Sequence, residues 1–568
     1  MRLSMTVTGR LRAVAPTAVA LAAAGAVAVS PVLVVTTAAH ASSSTCAVAY
    51  RKTWDTGTAF GADLTITNTG GPVDGWSLGF AFGGNQRITN GWPVAWTQPA
   101  GSSQVTAAST APWNARLATG KSISIGFRAR YRGANNSPAV FHLNGVACTA
   151  GGPGGQQPVA NPYLGARGYV NPLWSAKARA EPGGDRVAEQ PTAVWLDSVA
   201  AIQGVPRGGS KPVMGLADHL DRAVLQAAGQ PMVVQLVLYN LPGRNCARMA
   251  PDGELGPADL PRYQTEFVDP IAAILARPAY AGLRIVTIIE PDSLPNLVTN
   301  ATAWPSPSVL CDTMLANGGY VNGVGYALAK LGALPNVYNY VDVQHHGKIG
   351  WEETSGPTAT LLARAAAASG STPANVRGFV TNTAGYSALR EPYIPINADT
   401  RRSRWIDYNV FNDELTFAQA FRSRLVGAGF PPGIGMVIDT SRNGWGGPAR
   451  PSGPSSALEI NTFVDSSRVD RRVNKGNYCN QTGAGLGERP TAAPAEGVHA
   501  YAWIKPPGES DGLSFSIHDA FDRMCDPTYG GPPRAGSTPT GALPGAPVAG
   551  DWFPAQFQQL LQNAYPPL

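Results

Sequence analysis

Ionisable and amide side chains follow several apolar runs of the sequence, at the point where each run ends. They are Arg244 and Asn245, Glu290 and Asp292, Asp342, Asp439, and the segment from Lys505 to Asp511. Carboxyl groups can exchange protons, and amide and cationic groups can hold a polar substrate. Because the carboxyl ends of the strands carry the active site in α/β barrels, this placement indicates an enzyme.

Strands and helices alternate in the segment that carries these residues, which begins at Asn161. Apolar runs predict buried strands over residues 232–239, 283–289, 337–343, 378–380, 435–438 and 500–504. Residues 360–368 and 417–426 predict helices. Strand–helix alternation implies a parallel α/β sheet, so we predict an α/β barrel for residues 161–568.

The preceding residues, 42–149, have a different pattern. Short alternating runs over residues 62–67 and 122–127 lie between Gly, Asn and Pro turns and predict an all-β sandwich. Residues 150–160 are rich in Gly, Pro and Gln without periodicity, so they predict a flexible linker.

The first 41 residues have the pattern of a secretory signal peptide. A basic segment precedes an apolar stretch over residues 13–35, and Ala39-His40-Ala41 is a cleavage site. The basic residues are Arg2, Arg10 and Arg12. The alternative is a membrane anchor, which Pro16 and Pro31 disfavour. We therefore expect a secreted, extracellular protein that begins near Ser42.

Composition narrows the range of partners and cofactors. The net charge is +6, but the charges are scattered, with no basic run interleaved with aromatics, so we expect no nucleic-acid partner. No later segment is apolar enough to span a bilayer, so we expect no membrane partner. No nucleotide loop or metal-ligand spacing is present, so we expect no cofactor and no metal. We expect a monomer.

The six cysteines predict three disulfides, because their number is even, no C-x-x-C occurs and the protein is expected to be exported. Pairing in sequence order joins Cys46 to Cys148, Cys246 to Cys311 and Cys479 to Cys525. Each pair then lies within one predicted domain.

Tryptophans are concentrated in the all-β segment. Trp76 lies in a strand-like context and is interpreted as a core residue, whereas Trp54, Trp92 and Trp113 lie in polar, turn-rich contexts. Exposed aromatic faces stack well on pyranose rings. Residues 46–148 resemble a family 2 carbohydrate-binding module, on the evidence of Asn68, the Pro72–Trp76 and Ala111–Asn114 segments, and Phe141–Gly145 before Cys148. The resemblance implies that Trp54, Trp92 and Trp113 form a cellulose-binding strip.

Four segments of the α/β part, residues 237–246, 289–300, 340–347 and 503–512, resemble glycoside hydrolase family 6. The resemblance covers residues 161–568 and implies a distorted β/α barrel whose loops enclose a tunnel or cleft. It also implies inverting hydrolysis of β-1,4-glucan, in which one carboxyl protonates the leaving oxygen and another assists water on the opposite face of the sugar.

The resemblance assigns roles residue by residue. Asp292 matches the acid, Asp511 the residue proposed as base, and Asp342 an acidic residue near the scissile centre. The positions that match substrate contacts are Lys505, Glu509, His345, Tyr239, Trp351 and Tyr169. Structural alternatives remain for some residues. Asp342 and Glu290 are then buried carboxylates paired with Arg244, His345 and His346 are a hydrogen-bonded pair without a third metal ligand in reach, and Trp503 is a core residue.

Five positions depart from the family pattern. Asn245 replaces an Asp, Pro251 a Ser, Lys348 a stacking Trp, Gly385 an Asn and Tyr478 a Trp beside the substrate path. An Asn keeps hydrogen bonds but carries no charge. Lys348 suggests a different or anionic sugar, with a surface lysine as the alternative.

These departures leave three hypotheses. The first is an exo-acting β-1,4-glucanase, favoured by long segments at residues 443–477 and 527–551, with water held through Asp252. The second is a non-hydrolytic cellulose-binding protein, and the third is a hydrolase of another β-glycan.

Overall fold

The computed structural model describes residues 46–133, 135, 137–138, 140–151, 158–204, 213–248, 253–301, 308–515, 521–532 and 536–568. The predicted signal peptide, Pro251 and Asp252 lie outside the described residues. Across the described ranges, no helix is both long and apolar enough to cross a membrane.

The N-terminal part forms two five-stranded sheets, counted over its described residues. The first has the order β12-β1-β2-β9-β5 and the second the order β11-β10-β4-β7-β6, while β3 pairs with β8. The strands are β1 (Cys46–Asp55), β2 (Ala59–Asn68), β3 (Val73–Asp74), β4 (Ser77–Ala81), β5 (Arg87–Trp92), β6 (Ala95–Thr97), β7 (Gln104–Ala108), β8 (Arg116–Leu117), β9 (Ser122–Arg130), β10 (Phe141–Leu143), β11 (Val146–Ala147) and β12 (Thr149–Gly151).

Inward-facing side chains of both sheets share one core, which makes this part the predicted sandwich. Phe127 of the first sheet stacks on Phe80 of the second, with ring centroids 6.3 Å apart. Trp76 is buried as predicted, and its indole N–H donates to the carbonyl of Asn114 at 2.8 Å. The Cys46–Cys148 disulfide ties the first strand to the end of the module.

The second part is built on one curved sheet, with the order β13-β15-β16-β17-β18-β19-β21-β20 and β14 beside β15. All neighbours are parallel except β20 and β21. The strands are β13 (Arg167–Gly168), β14 (Val194–Leu196), β15 (Met232–Leu238), β16 (Leu283–Ile289), β17 (Val337–Asp342), β18 (Val376–Thr381), β19 (Gly435–Asp439), β20 (Thr491–Ala495) and β21 (Val498–Ala502).

A single parallel bridge between Thr192 and Trp503 joins the start of β14 to the end of β21. The indole N–H of Trp195 adds a bond to the carbonyl of Ile504 at 2.9 Å. The sheet therefore curls into a barrel with one weak seam. The fold class, a distorted β/α barrel preceded by an all-β sandwich, is confirmed.

Both faces of the barrel strands are buried, as is typical of parallel sheets. Along β15, Val234 and Leu236 pack outward against the helices, while Val233 and Val237 pack into the barrel interior. The helices are α1 (Pro112–Ala115), α2 (Pro172–Ala180), α3 (Val199–Ile202), α4 (Leu216–Ala227), α5 (Leu260–Arg262), α6 (Asp269–Leu275), α7 (Leu294–Asn300), α8 (Val309–Asn317), α9 (Gly319–Gly332), α10 (His346–Ile349), α11 (Glu352–Ala366), α12 (Glu414–Gly427), α13 (Ile460–Ser467) and α14 (Pro554–Gln562).

The other two disulfides, Cys246–Cys311 and Cys479–Cys525, also form in the predicted pairing. Residues at both ends of the predicted linker contact the neighbouring domains. Residues 150 and 151 pair with β1 as part of β12. Val159 packs against the barrel interior, and its N–H donates to the hydroxyl of Tyr338 at 3.2 Å.

Candidate active site

The loops that follow β15, β16, β17 and β18 hold an unusual backbone. Among the described non-glycine residues within a few positions of these strand ends, φ lies between 47° and 59° for Asn245, Glu290, Asp292, Gln344, Asn382 and Ala384. Such residues each cost about 1–3 kcal/mol and persist where the surrounding structure holds them. Strained residues cluster at active sites, so this edge of the sheet is the candidate site.

A cavity of about 420 Å³ opens at this edge. The residues singled out in the sequence that line it are Asn245, Asp292, His345, Lys348, Gly385, Tyr478 and Asp511. The sheet therefore brings together side chains that are up to 266 residues apart in sequence, from Asn245 to Asp511.

Asp292 is held by a side chain that the sequence interpretation missed. Gln344 Nε2 donates to Asp292 Oδ1 at 2.6 Å and to Asn296 Oδ1 at 3.1 Å. The amide of Asn296 in turn donates to the carbonyl of Asp292 at 2.6 Å. The only sequence signal for Gln344 is its position two residues after Asp342, because a glutamine side chain does not by itself indicate a catalytic role.

Asp342 lies behind Asp292 and is 1% exposed. Its Oδ2 accepts the backbone N–H groups of Asp292 at 3.2 Å and Gln344 at 3.1 Å. Burial, and then the negative charge of Asp292, raise the pKa of Asp342 to about 7. Asp342 therefore positions the loop that carries Asp292 and holds a proton at mildly acidic pH.

Glu290 is the second buried carboxyl beside this loop. It accepts the backbone N–H groups of Asn240 and Leu241, each at 3.0 Å, and the hydroxyl of Tyr263 at 2.8 Å. Burial raises its pKa to about 7. These bonds are those of a structural carboxyl that fixes the chain after β15.

Asp511 has a different environment. Both of its oxygens accept from Nη1 of the fully buried Arg442 at 2.8 Å, and Oδ2 also accepts from the Tyr386 hydroxyl and the Asn480 N–H, each at 2.8 Å. Burial alone would raise the pKa of Asp511, but the charges of Arg442 and Lys505 outweigh it and lower the pKa. Asp511 is thus held ionised and fixed.

Asn245 faces the cavity with its amide oxygen occupied. The hydroxyl of Tyr239 donates to Asn245 Oδ1 at 2.6 Å. The guanidinium of Arg244 stacks 4.5 Å from the Tyr239 ring and donates to the carbonyls of Asp197 and Tyr239. Two of the bonds that fix Arg244 therefore go to backbone carbonyls, and its charge also lowers the pKa of Glu290 against the larger effect of burial.

The residues predicted to contact substrate differ in their burial and in their hydrogen-bond partners. Lys505 is buried, its ammonium donates to the carbonyl of Ser510 at 3.1 Å, and burial lowers its pKa. Burial raises the pKa of Glu509. The indole N–H of Trp351 donates to the carbonyl of Asp407 at 2.7 Å, and Tyr478 bonds to Asp522 through its hydroxyl.

The structure places Tyr169, one of the expected substrate contacts, in the protein core. Its ring is 1% exposed within the barrel core, and its hydroxyl pairs with Nδ1 of His219 at 2.9 Å. The structure therefore does not bring it to the cavity. Trp503, by contrast, is fully buried as predicted.

The neighbourhood of His345 and His346 also needs correction, because a third potential ligand is in reach. Ligand atoms of His345, His346 and Glu414 lie within 4.8 Å of one another. Nδ1 of His346 is 2.6 Å from Oε1 of the fully buried Glu414, and the N–H of His346 donates to the same oxygen at 3.1 Å. These contacts hold the start of α10 by hydrogen bonds.

The close packing around residue 385 explains why this position is a glycine. A Cβ at this position would lie 2.1 Å from Oδ1 of Asn382. Asn382 is itself fixed, because it donates to the carbonyl of Asp439 at 2.9 Å and accepts from the N–H of Ser387 at 3.1 Å. A larger residue at 385 therefore requires Asn382 to move.

The three tryptophans of the module are exposed, with 43% of Trp54, 43% of Trp92 and 70% of Trp113 accessible. Trp54 and Trp92 lie on β1 and β5, not in loops as expected. Trp113 lies on α1, and the amide of the next residue, Asn114, donates to the carbonyl of Pro93 at 3.3 Å.

Two glycines explain how these rings lie against the sheet. A Cβ at Gly61 would be 2.4 Å from Nε1 of Trp54, and one at Gly126 would be 2.8 Å from Cε2 and Cζ2 of Trp92. Because β2 and β9 are adjacent strands, both indoles pack on the same sheet where it lacks side chains.

Comparison with known proteins agrees with this geometry. Residues 159–564 match the family described as glycosyl hydrolases family 6, and residues 45–148 match the family described as cellulose binding domain. The chain belongs to glycosyl hydrolases family 6.

Its relatives include bacterial and fungal proteins. It is 46% identical over 437 residues to exoglucanase A of Cellulomonas fimi, a match that covers 72% of this chain and 49%, about half, of that relative. It is 36% identical over 391 residues to the 1,4-beta-D-glucan cellobiohydrolase CEL6C of Podospora anserina, covering 68% of this chain and 81% of that protein. The solved catalytic domain of Cellulomonas fimi Cel6B is 45% identical with a TM-score of 0.68, over 72% of this chain and 97% of that one.

Proposed function

We propose that this protein is a secreted, inverting glycoside hydrolase that cleaves β-1,4-glucan, acts from chain ends and is anchored to cellulose by its N-terminal module. In this organisation residues 1–41 are the signal peptide, 42–149 the cellulose-binding module, 150–160 the connecting segment and 161–568 the catalytic domain. The names of the relatives, an exoglucanase and a cellobiohydrolase, support the substrate and the mode of action.

The observation that carries the proposal is that two carboxyl groups in contrasting environments line one cavity. Among the described residues, one side chain donates to Asp292, the neutral amide of Gln344, whereas Asp511 is ion-paired with the Arg442 guanidinium. An inverting hydrolase needs one carboxyl that delivers a proton and another that stays ionised.

The chemistry then follows in one displacement. Asp292 transfers its proton to the glycosidic oxygen as the C–O bond breaks, and a water attacks the anomeric carbon from the opposite face. Asp511 receives the proton released by that water. Lys505 and Arg442 hold the negative charge of Asp511 in place before the reaction, so that little reorganisation accompanies it.

The long segments predicted to roof the substrate path support action from chain ends. The cavity is lined by Asn474, Lys475, Gly476 and Asn477 of the first segment, by Tyr478 directly after it, and by Pro532 of the second segment. The hydroxyl of Tyr478 donates to Asp522, and the guanidinium of Arg248 lies 5.5 Å from the centroid of its ring. Walls from two separate segments are expected to restrict entry to a chain end.

The test is sugar release by the purified mature protein and its Asp292→Asn variant from swollen cellulose, mixed-linkage glucan, glucomannan, xylan and xyloglucan. We expect soluble cello-oligosaccharides, chiefly cellobiose, from cellulose with the wild type and at least a thousandfold less with the variant, which keeps the shape of Asp292 and loses its proton. Unchanged binding to cellulose in the variant is the folding control. Full activity in the variant would refute the assigned acid.

Two other outcomes distinguish the remaining hypotheses. Sugar release from another glycan alone favours a changed substrate. No sugar release from any glycan of the panel, with cellulose binding intact, favours a non-hydrolytic protein. Secretion is tested by the N-terminus of the exported protein, expected at Ser42, and the monomeric state by its mass in solution.

A further inference from the structure

The imidazole of His345, a predicted sugar contact, lines the cavity with two nitrogens that can have opposite roles. In a neutral imidazole one nitrogen carries the proton and donates, while the other accepts, so the tautomer decides what the ring offers to a ligand. Burial, and then the charge of Arg472, lower the pKa of His345 well below its ordinary value, so the ring is neutral. The partners of the two nitrogens therefore assign the tautomer.

Nδ1 of His345 is next to a hydroxyl. It lies 3.2 Å from Oγ of Ser387, and at this distance either atom can be the donor. Ser387 is fully buried, and no other acceptor for its hydroxyl proton lies in reach among the described residues. The direction of this one hydrogen bond therefore depends on what else contacts the Ser387 oxygen.

The other partner of the Ser387 hydroxyl is Arg472, whose guanidinium can only donate. Its Nη2 donates to Ser387 Oγ at 2.9 Å. Because the Ser387 oxygen accepts from the guanidinium, its own proton is left for Nδ1 of His345. The opposite direction would leave a buried hydroxyl proton without an acceptor, which costs free energy. Nδ1 of His345 is thus an acceptor and carries no proton.

Arg472 is held firmly in the position that this bond requires. Nε and Nη2 donate to the carboxylate of Asp470, and Nη1 donates to the carbonyls of Lys475 at 2.9 Å and Asn477 at 3.0 Å. With the bond to Ser387, all five N–H groups of the guanidinium have acceptors. Arg472 is buried, and its charge is matched by Asp470. The guanidinium cannot turn away from Ser387 without breaking this network.

The other nitrogen of His345, Nε2, is left for a ligand. Among the residues that the structure describes, no group bonds to Nε2, and this atom is not sealed off from solvent. Because Nδ1 is unprotonated and the ring is neutral, Nε2 carries the proton. His345 therefore offers the cavity a hydrogen-bond donor, which suits the oxygen atoms of a sugar.

We propose that Ser387, oriented by Arg472, is a positioning residue that fixes His345 as the tautomer protonated on Nε2, so that His345 donates to an oxygen of the glucan. The inference rests on the proposed function for the identity of the ligand. The neighbouring His346 has the opposite arrangement, because its Nδ1 lies 2.6 Å from Oε1 of Glu414, an oxygen that also accepts the backbone N–H of His346. Nδ1 of His346 therefore carries a proton, and the two adjacent rings form an internal comparison.

The tautomer is measured by solid-state nitrogen NMR of the full-length mature protein with isotope-labelled histidine at pH 6, since protonated and unprotonated ring nitrogens resonate far apart. His345→Gln and His346→Gln identify the signals by their loss. We expect Nδ1 of His345 to be unprotonated and its Nε2 protonated, and Nδ1 of His346 to be protonated.

Variants of Ser387 test its part in this arrangement. Ser387→Ala should move the Nδ1 resonance of His345 to that of an unprotonated nitrogen without a hydrogen bond, and should leave the resonances of His346 in place. Ser387→Thr keeps the hydroxyl and should keep the wild-type resonance. Ser423→Ala, which removes an exposed hydroxyl on α12, is the matched control.

Cellotetraose binding to the full-length Asp292→Asn variant, measured by calorimetry, connects the tautomer to the ligand. Adding Ser387→Ala should weaken binding about fivefold, as expected for one hydrogen bond between neutral groups. Adding Ser387→Thr should restore most of the affinity, and adding Ser423→Ala should leave it unchanged. Unchanged binding of each variant to cellulose through the module is the folding control.

The outcomes separate this inference from the proposed function, because the NMR measurement needs neither turnover nor a ligand. A proton on Nδ1 of His345 in the wild type overturns the inference, as does an Nδ1 resonance that Ser387→Ala leaves in place. A resonance that moves while the affinity for cellotetraose stays the same overturns the role in ligand binding. Loss of the hydrogen bond and of affinity in Ser387→Ala, both recovered in Ser387→Thr, supports it.

Discussion

Gln344 offers the sharpest test of how the acid is controlled. Its Nε2 donates to Asp292 Oδ1 at 2.6 Å, and a hydrogen bond to a charged group contributes about 1.5–3 kcal/mol. That bond fixes the orientation of the Asp292 carboxyl. Since each 1.36 kcal/mol of transition-state free energy corresponds to a tenfold change in rate, removing the donor should lower kcat/KM by roughly ten- to hundredfold.

Two variants distinguish the effect of losing the side-chain donor from the effect of the strained backbone. Gln344→Met keeps the length of the side chain and lacks the N–H groups, while Gln344→Gly also relieves the φ of 59°. We expect both to lower kcat/KM on a soluble cello-oligosaccharide by similar amounts, and only Gly to relieve backbone strain. A kcat/KM that stays at the wild-type value in both variants would refute the assigned role of Gln344.

Three further predictions follow from other parts of the molecule. Gly126→Ala should displace the Trp92 indole and weaken cellulose binding about fivefold in a pull-down isotherm, whereas Gly79→Ala, with open space around its Cβ, should not. Asn245→Asp should raise sugar release at least about tenfold, because it adds a carboxylate beside the reaction centre; an unchanged rate would show that this charge is dispensable. The free energy of unfolding should fall between pH 6.5 and 8, because the raised pKa values of Asp342 (about 7), Glu290 (about 7) and Glu391 (about 8) make their contribution complete below pH 4 and lost as pH rises through those values. The buried histidines whose pKa values are lowered stay neutral in the folded state over that interval, but they still lose protons in the unfolded chain, which raises stability. Denaturant titrations at the two pH values therefore measure the carboxyls as the fall that remains against this opposing contribution.

Much of the fold is readable from the sequence, because buried parallel strands are continuous apolar runs and polar residues mark their ends. The predicted strands at residues 232–239 and 283–289 match β15 and β16 to within one residue. Helix starts are less predictable. The helix expected at residues 360–368 begins at Glu352, because the tertiary contacts of its first turns compensate for their weak sequence pattern and for Pro357 inside the helix.

The site was predictable where a motif names the residue, and not where the role depends on a neighbour from a distant strand. Arg442 comes 69 residues before the carboxylate that it binds, and Glu414 comes 68 residues after His346. Tyr169 shows the converse error. The family resemblance implied that Tyr169 takes the place of a far-side aromatic substrate contact, but its hydroxyl pairs with the buried His219 in the core.

The departures from the family pattern are best understood as one rearrangement around the acid. Where the family has a carboxylate, Asn245 presents a neutral amide oxygen that Tyr239 already occupies, so this position holds geometry but no charge. Gln344 brings a second neutral amide, which donates to Asp292, and the backbone N–H of Asp292 donates to Asp342. Burial, and then the charge of Asp292, raise the pKa of Asp342 to about 7, so below that pH this neighbour is neutral as well. In place of the single Asp of the usual pattern, this protein therefore surrounds the acid with two amides and a buried carboxyl whose charge depends on pH.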